Sequence, residues 1–178
     1  MMINLIELDA FLARALEHRE RNRTGVARAK RPVAAALDLA NRCEAEIVVK
    51  NCLHPAYHHD ADVITIPQVP FRFVQRPKLL STIILHELVH WSGAPARMNR
   101  ARFVKRFDIS YNREELVAEI GAVLLSFDLG ITRRPILPNH KYLADYLTTV
   151  DRPDVALHVA LGQAEQAAAF LHMTGKGG

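Results

Sequence analysis

The sequence predicts an α+β fold that is mostly helical, with a short β-sheet early in the chain. Apolar residues recur at helical spacing through most of the chain, while β-branched residues cluster at 46–50 and 62–66. The length of 178 residues fits one domain, and 49% hydrophobic with 24% charged residues is ordinary globular composition. We therefore expect a single domain over residues 1–174, with N-terminal helices at 1–45, a core at 46–174 and a loose tail at 175–178.

Two predicted helices occupy the first 45 residues. Leucines and alanines recur at helical spacing between positions 5 and 16, which predicts an amphipathic first helix. Residues 22–29 are polar and basic and contain Gly25, so they are predicted to form a loop. Pro32 suits the first turn of a second helix, which should continue to Ala40.

The predicted sheet consists of two short strands, at 46–50 and 62–66. Residues 51–61 contain Pro55 and three histidines, and we expect a loop there. For these histidines, at positions 54, 58 and 59, the sequence favours a solvated loop over a separate metal tract. Prolines flank the second strand, and we place it at a sheet edge, where a missing N–H donor costs little.

The strongest helical pattern runs from Lys78 to Trp91, with Gly93 placed as a stop. Within it, His86 and His90 are four residues apart and therefore lie one turn apart on the same face. Two imidazoles in this arrangement can bind one tetrahedral zinc ion. Glu87 projects close to the same site and suits the role of general base. The alternative is a pair of helix-surface histidines packed against Trp91.

A third metal ligand is predicted on the next helix, over residues 112–129. Glu115 and Glu119 are four residues apart and share a helix face, so both can approach the histidines. We assign Glu115 as the ligand and expect Glu119 to accept the second ring N–H of a ligating histidine. The alternative makes Asn112 the N-cap with Glu115 as its capping-box partner. Glu114 points to another face, which we expect to be solvated.

Two more helices are predicted at 140–149 and 155–172, after a loop marked by Pro135 and Pro138. Peptide hydrolysis benefits from a hydrogen-bond donor aimed at the developing oxyanion. Tyr111 and His140 are candidates for that donor, and the sequence does not decide between them.

The net charge of +4 arises largely from two basic clusters. The N-terminal basic cluster comprises Arg19, Arg21, Arg23, Arg28, Lys30 and Arg31, and the central basic cluster comprises Arg97, Arg100, Arg102, Lys105 and Arg106. Such clusters can follow a phosphate backbone, but a solvated face or loop is the simpler interpretation.

The two cysteines, Cys43 and Cys52, are not at metal or redox spacing, and we expect reduced thiols. No apolar stretch approaches the roughly 18 to 20 residues that span a bilayer. The N-terminus lacks the basic lead and cleavage site of a signal peptide. The expected location is therefore the cytoplasm.

Several segments together resemble the zincin-like metallopeptidase domain of ArdC-type antirestriction proteins and plasmid TraC-type primases. The main segments are 81–93 (STIILHELVHWSG), 97–100 (RMNR) and 114–122 (EELVAEIGA). Residues 56–57 and 62–67, followed by Phe71 or Phe73, resemble the family's edge-strand region, and residues 140–143 and 146–147 resemble its closing helices. The resemblance implies a zincin fold with two histidines and a downstream glutamate on the metal, in a gluzincin-like arrangement.

The resemblance also implies carriage on plasmids, phages or other mobile elements, and a role in protecting incoming DNA from host restriction. ArdC-type proteins carry a separate N-terminal domain that binds single-stranded DNA. Only about fifty residues precede the matched segments here, so we expect this chain to lack that domain.

Two functions remain open from the sequence. The first is a zinc-dependent peptidase that uses Glu87 as general base and binds an extended protein or peptide substrate along the strand at 62–66. The second is a binding protein whose metal is structural and whose basic clusters contact DNA or a host protein. Manganese or another divalent ion could replace zinc in either case.

Overall fold

The computed structural model describes residues 5–21, 28–68, 76–100, 109–137 and 140–174. These residues form six helices and three short strands, which confirms the mostly helical α+β fold. In chain order they are α1 (Leu5–Arg21), α2 (Pro32–Arg42), β1 (Glu46–Lys50), β2 (Ala56–His58), β3 (Val63–Pro67), α3 (Pro77–Ser92), α4 (Ile109–Asp128), α5 (His140–Leu147) and α6 (Pro153–Thr174).

Helix α4 lies at the centre of the helical core, packed against α6 on one side and α3 on another. All residues from 116 to 125 are buried. Gly121 permits a close approach to α3, because a Cβ at this position would lie 2.8 Å from Val89 Cγ2. Helix α3 also packs against α2 and the sheet. The two helices that carry the candidate ligands are therefore held by packing on several sides.

The strands lie in the order β1-β3-β2 in the part of the chain that the structure describes. Strand β3 pairs in parallel with β1 and antiparallel with β2. The prediction that this strand lies at a sheet edge is therefore wrong. Pro67 is the last residue of β3, opposite Lys50, so its missing N–H removes no bond from the middle of the ladder.

The predicted loop at 51–61 is wrong at 56–58, where β2 forms. Only three residues long, β2 carries too little periodicity to be recognised from sequence. Outside the described residues lie most of the predicted loop at 22–29, the segment with Phe71 and Phe73, and the tail at 175–178.

Helix α4 begins at Ile109, three residues before the predicted start. Asn112 is therefore inside the helix, and its side chain accepts a hydrogen bond from the Tyr142 hydroxyl of α5. This excludes the capping-box interpretation of Glu115. The predicted end of α3 at Gly93 is confirmed, and α5 and α6 match their predicted positions within a few residues.

Helix α1 is fastened to the core by a buried ion pair. Arg19 of α1 donates to both carboxylate oxygens of Asp128 at the end of α4, at 2.7 and 2.5 Å. The ring of His172 in α6 lies 2.9 Å from the same carboxylate. Arg19 is therefore a structural residue rather than part of an open basic surface.

Both Cys43 and Cys52 are free thiols, as predicted. None of the described helices is long and apolar enough to cross a membrane. The assignment of residues 1–174 to one domain stays a prediction.

Candidate metal centre

Three predicted ligands meet where α3 faces α4. His86 Nε2 and His90 Nε2 lie 3.1 Å apart. The Glu115 carboxylate faces both rings, with one oxygen 3.5 Å from His86 Nε2 and the other 3.5 Å from His90 Nε2. The histidines are buried, with relative exposures of 5% and 8%, while Glu115 is partly exposed. One side of the cluster is therefore enclosed by the two helices.

The spacing of these atoms fits a metal ion. A tetrahedral ion with ligand bonds of about 2.0–2.1 Å places its ligands about 3.3 Å apart. One ligand atom from each of the three residues lies within 4.8 Å of the others. Among the described residues, no other group of three His, Cys, Asp or Glu side chains brings its ligand atoms this close together. The histidines at 54, 58 and 59 therefore form no second cluster. That these three residues bind a metal stays a prediction.

Buried charges surround both histidines. Burial by itself would lower the pKa of His90, but Glu114 and Glu115 offset that effect and raise it to about 10. For His86, burial also acts to lower the pKa, but Glu115 outweighs this effect and the pKa is raised. Despite its own burial, Glu115 has a pKa well below its ordinary value because it faces both rings. A cation bound at this point would compete with protons for the same atoms.

Glu87 is held from the sheet side. The backbone N–H of Tyr57, in β2, donates a hydrogen bond of 2.8 Å to Glu87 Oε2. The Tyr57 hydroxyl in turn donates to Asp62 at 2.7 Å and accepts from Arg97 at 3.0 Å. Burial and the bond to Asp62 raise the pKa of Tyr57 to about 12, so the hydroxyl remains a donor. Sequence reasoning identified Glu87 but not the strand that fixes it.

A family model described as zincin-like metallopeptidase matches residues 34–162, which include the three candidate ligands and Glu87. This chain belongs to the zincin-like metallopeptidase family. The resemblance suggested by its motifs is thereby confirmed.

Two curated relatives of this zincin-like protein are much longer than the region they share with it. DNA primase TraC of Escherichia coli is 31% identical over 87 residues, which are 49% of this chain and 8% of the primase. Uncharacterized protein y4eC of Sinorhizobium fredii is 24% identical over 116 residues, which are 65% of this chain and 37% of that protein. The chain thus spans well under two thirds of either relative.

Solved structures show the same fold. The Mn(II)-bound crystal structure of the antirestriction protein ArdC from plasmid R388 superposes with a TM-score of 0.65 at 24% identity. The match covers 86% of this chain and 55% of that one. The metal-free structure of the same protein gives a TM-score of 0.63 at 22% identity.

The main correction to the predicted site concerns the environment of Glu114. It was expected to be solvated, but its side chain is only 9% exposed and forms an ion pair with Arg100 at 2.7 Å. Its Oε1 atom also lies 3.4 Å from His90 Nδ1. Arg100 belongs to the segment after α3, which folds back onto the helix. The contact between Arg100 and Glu114 is a tertiary one, and no local pattern in the sequence signals it.

Glu119 is completely buried, and its Oε1 atom lies 3.8 Å from His86 Nδ1. This distance places Glu119 beside the histidine that it was expected to orient, but it is longer than a hydrogen bond. Its role as acceptor stays a prediction.

Tyr111 and His140, the candidates for an oxyanion donor, both stay predictions. Tyr111 lies one turn before Glu115 in α4 and therefore on the same side of the helix. His140 begins α5, and its side chain lies outside the described residues. His59, which the sequence assigned to a solvated loop, follows β2 directly and packs its ring edge-on against Tyr57, with the ring centroids 4.5 Å apart. Burial, followed by the charge of His90, lowers the pKa of His59 to about 4.

Proposed function

We propose that this chain is a zinc-dependent metallopeptidase domain encoded by a mobile element. His86, His90 and Glu115 would hold the ion, and Glu87 would act as general base. The observation that carries this proposal is that one ligand atom from each of the three residues lies within 4.8 Å of the others. Beside them, the backbone N–H of Tyr57 in β2 holds the Glu87 carboxylate. Two imidazoles and a carboxylate also accept manganese, so Mn²⁺ is the second choice of metal.

The chain's own residues supply the remaining chemistry. When bound, the ion would polarise the scissile carbonyl and acidify water. Glu87 would take a proton from the attacking water and pass it to the departing amine. The Tyr57 N–H at 2.8 Å supports that role because it restricts the orientation of the carboxylate.

We place an extended protein or peptide substrate beside β2. The expectation from sequence placed it along residues 62–66, but β3 is paired on both sides and cannot accept another strand. Strand β2 is an outer strand in the described sheet, and it is the strand that contacts Glu87. An outer strand next to the general base suits recognition of extended backbone.

The mobile-element setting is proposed from the relatives. One matched structure is an antirestriction protein of plasmid R388, and one matched sequence is a DNA primase. A role in antirestriction or another encounter with host defence is consistent with both, and the cytoplasm is the compartment where such an encounter takes place.

A second candidate is a metal-containing protein that binds DNA or a host protein without cleaving it. Three residues of the N-terminal basic cluster, Arg28, Lys30 and Arg31, are exposed next to the start of α2 and could contact phosphates. In the central basic cluster, Arg97 pairs with Asp62 and Arg100 with Glu114, while positions 102, 105 and 106 lie outside the described residues. The described contacts therefore favour the N-terminal cluster as the DNA-contacting surface in this alternative.

The first experiment measures the metal content of the purified chain by plasma mass spectrometry. We expect about one equivalent of zinc or manganese, lost or greatly weakened in His86→Ala and Glu115→Ala. His158→Ala and Glu165→Ala are matched controls, because both residues are exposed on α6. A chain that takes up no metal even after reconstitution would refute the proposed site.

Glu87→Gln separates the two candidate functions. The peptidase proposal predicts that this variant keeps its metal and its fold but loses cleavage of casein or a peptide library. The binding alternative predicts that the biological effect, measured as protection of incoming DNA from restriction, survives the substitution. Protection that persists in Glu87→Gln would exclude proteolysis as its cause.

A further inference from the structure

Arg100 makes a dense set of contacts below the proposed metal site. Its guanidinium donates to both carboxylate oxygens of Glu114, at 3.1 and 2.7 Å. It also donates to the Val89 carbonyl at 2.7 Å and the Ser92 hydroxyl at 3.2 Å. The Arg100 side chain is 5% exposed. Such a fork-shaped pairing fixes the position of the carboxylate as well as its charge.

These contacts surround His90. Val89 precedes His90 and Ser92 follows two residues later, so both lie in the last turn of α3, where carbonyls have no backbone N–H partner within the helix. Arg100 therefore connects the turn that carries His90 to Glu114 on α4. Gly93 makes room for this arrangement, because a Cβ there would lie 2.8 Å from the Arg100 guanidinium.

The two nitrogens of the His90 ring face different carboxylates. Nε2 faces Glu115 and His86, whereas Nδ1 lies 3.4 Å from Glu114 Oε1. Nδ1 is buried and has no hydrogen bond to any described residue. The distance of 3.4 Å is slightly longer than a good hydrogen bond. An imidazole that binds an ion through one nitrogen commonly donates the other N–H to a carboxylate.

We infer that Glu114, held by Arg100, is a positioning residue that orients the His90 ring with Nε2 toward the bound ion. This inference rests on the proposed metal site, and it adds a pair of residues to which sequence analysis gave other roles. Helix α4 then places a carboxylate beside Nδ1 of each histidine. Glu119 lies beside His86, and Glu114 lies beside His90.

The test measures zinc affinity by competition with a chromogenic chelator. Glu114→Gln keeps the shape of the side chain but removes its charge, and we expect zinc to bind about 10- to 100-fold more weakly. Arg100→Lys keeps a charge but loses the paired geometry, and it should weaken binding by a smaller factor. The melting temperature of each metal-free variant reports separately on stability.

Asp128→Asn is the matched control, since it makes the same carboxylate-to-amide change in the other buried arginine pair of α4. It should lower stability and leave zinc affinity unchanged. Zinc affinity that stays at the wild-type value in folded Glu114→Gln and Arg100→Lys would overturn the inference while leaving the metal site intact. So would an equal loss of affinity in Asp128→Asn. A wild-type chain that binds no zinc overturns both the inference and the proposed function.

Discussion

Buried carboxylates are the dominant residue-scale feature of this protein, and three of them lie on α4. Glu114, Glu119 and Asp128 are each nearly inaccessible to solvent. An unpaired buried charge costs several kcal/mol, so such groups require partners from other elements. Arg100 faces Glu114, and Arg19 faces Asp128. Each pair therefore joins α4 to another part of the chain, through Arg100 beside the proposed metal site and through Arg19 at the end of the helix.

The first prediction concerns Asp62, whose pKa is lowered by hydrogen bonds from Arg97 and then from Tyr57. A lowered pKa in the folded state stabilises the protein above the unfolded value of about 4 and ceases to do so as pH falls through the folded value. Asp62→Asn should therefore lower the melting temperature at pH 7 by about 1 to 3 °C, because the Asp62 side chain is 53% exposed and water screens much of the attraction.

The melting-temperature difference between Asp62→Asn and the wild-type chain should shrink below about pH 4. Asn tolerates the positive φ of 53° at this position, so the substitution introduces no backbone strain. A difference that stayed constant from pH 7 to pH 3 would contradict the role of the carboxylate charge.

The second prediction concerns Gly121, the point of closest approach between α4 and α3. Because a new Cβ would lie 2.8 Å from Val89, Gly121→Ala should overpack the interface despite the better helix propensity of alanine. We expect a net loss of roughly 1 to 2 kcal/mol in the free energy of unfolding, measured with urea. In a Val89→Ala background the same change should be neutral or stabilising, and additive effects would show that the two residues do not compete for space.

At the scale of elements, α3 and α1 are held to the rest of the molecule by different means. Helix α3 buries apolar residues together with Ser81, Thr82, Ser92 and the two histidines, and it packs against α2, α4 and the sheet. Helix α1, by contrast, reaches the core partly through one buried ion pair, between Arg19 and Asp128. The N-terminal helix therefore depends on a polar contact that a single substitution can remove.

The third prediction follows from that contact. Arg19→Met keeps the apolar stem but leaves the Asp128 carboxylate buried without the Arg19 charge, with the His172 ring 2.9 Å away. Removing one member of a buried pair costs about 3 kcal/mol or more, and the partial exposure of Arg19 places the expected loss near the lower end. Arg14→Met, on an exposed position of the same helix, should change the free energy of unfolding by less than about 0.5 kcal/mol. Equal effects in both variants would contradict a specific role for the pair.

At the scale of the whole molecule, the proposed ion would connect separate parts of the chain. His86 and His90 come from α3, and Glu115 comes from α4. Between these helices lies a segment, 101–108, outside the described residues. An ion bound by all three side chains binds the folded chain far better than the unfolded one, and so stabilises the fold.

The fourth prediction is a metal-dependent melting temperature. Free zinc at about 100 times the dissociation constant should add about 2.7 kcal/mol, equivalent to about 5 to 10 °C for a chain of this size. Stripping the ion with a chelator should reverse the shift, and His86→Ala should show none. A shift of equal size in His86→Ala would indicate that zinc binds elsewhere.

Much of this arrangement was predictable because it is local. The four-residue spacing of His86 and His90 places them on one helix face, whatever the rest of the chain does. The same spacing relates Glu115 to Glu119, which singled out Glu115 as the third candidate. Helical periodicity and Gly93 were sufficient to locate α3, and the β-branched runs located β1 and β3.

The main errors concern pairings between separate elements or segments, which local residue patterns do not reveal. Glu114 is adjacent to Glu115, but its burial depends on Arg100 folding back from the segment after α3. Strand β2 is recognised only by its pairing with β3, and that pairing moves β3 from the edge to the centre of the described sheet. Neither the Arg100–Glu114 ion pair nor the β2–β3 pairing is signalled by a local sequence pattern, because both depend on which segments the fold brings together.

The sequence by itself determined the candidate chemistry: two imidazoles and a glutamate base on one helix, with a carboxylate supplied by another. These follow from residue type and the 3.6-residue helical repeat, which operate within a few turns. Only the tertiary structure decided which groups support that chemistry. The Tyr57 N–H on Glu87 and the Arg100–Glu114 pair beside His90 arise because burial forces polar groups to find partners wherever the fold brings them.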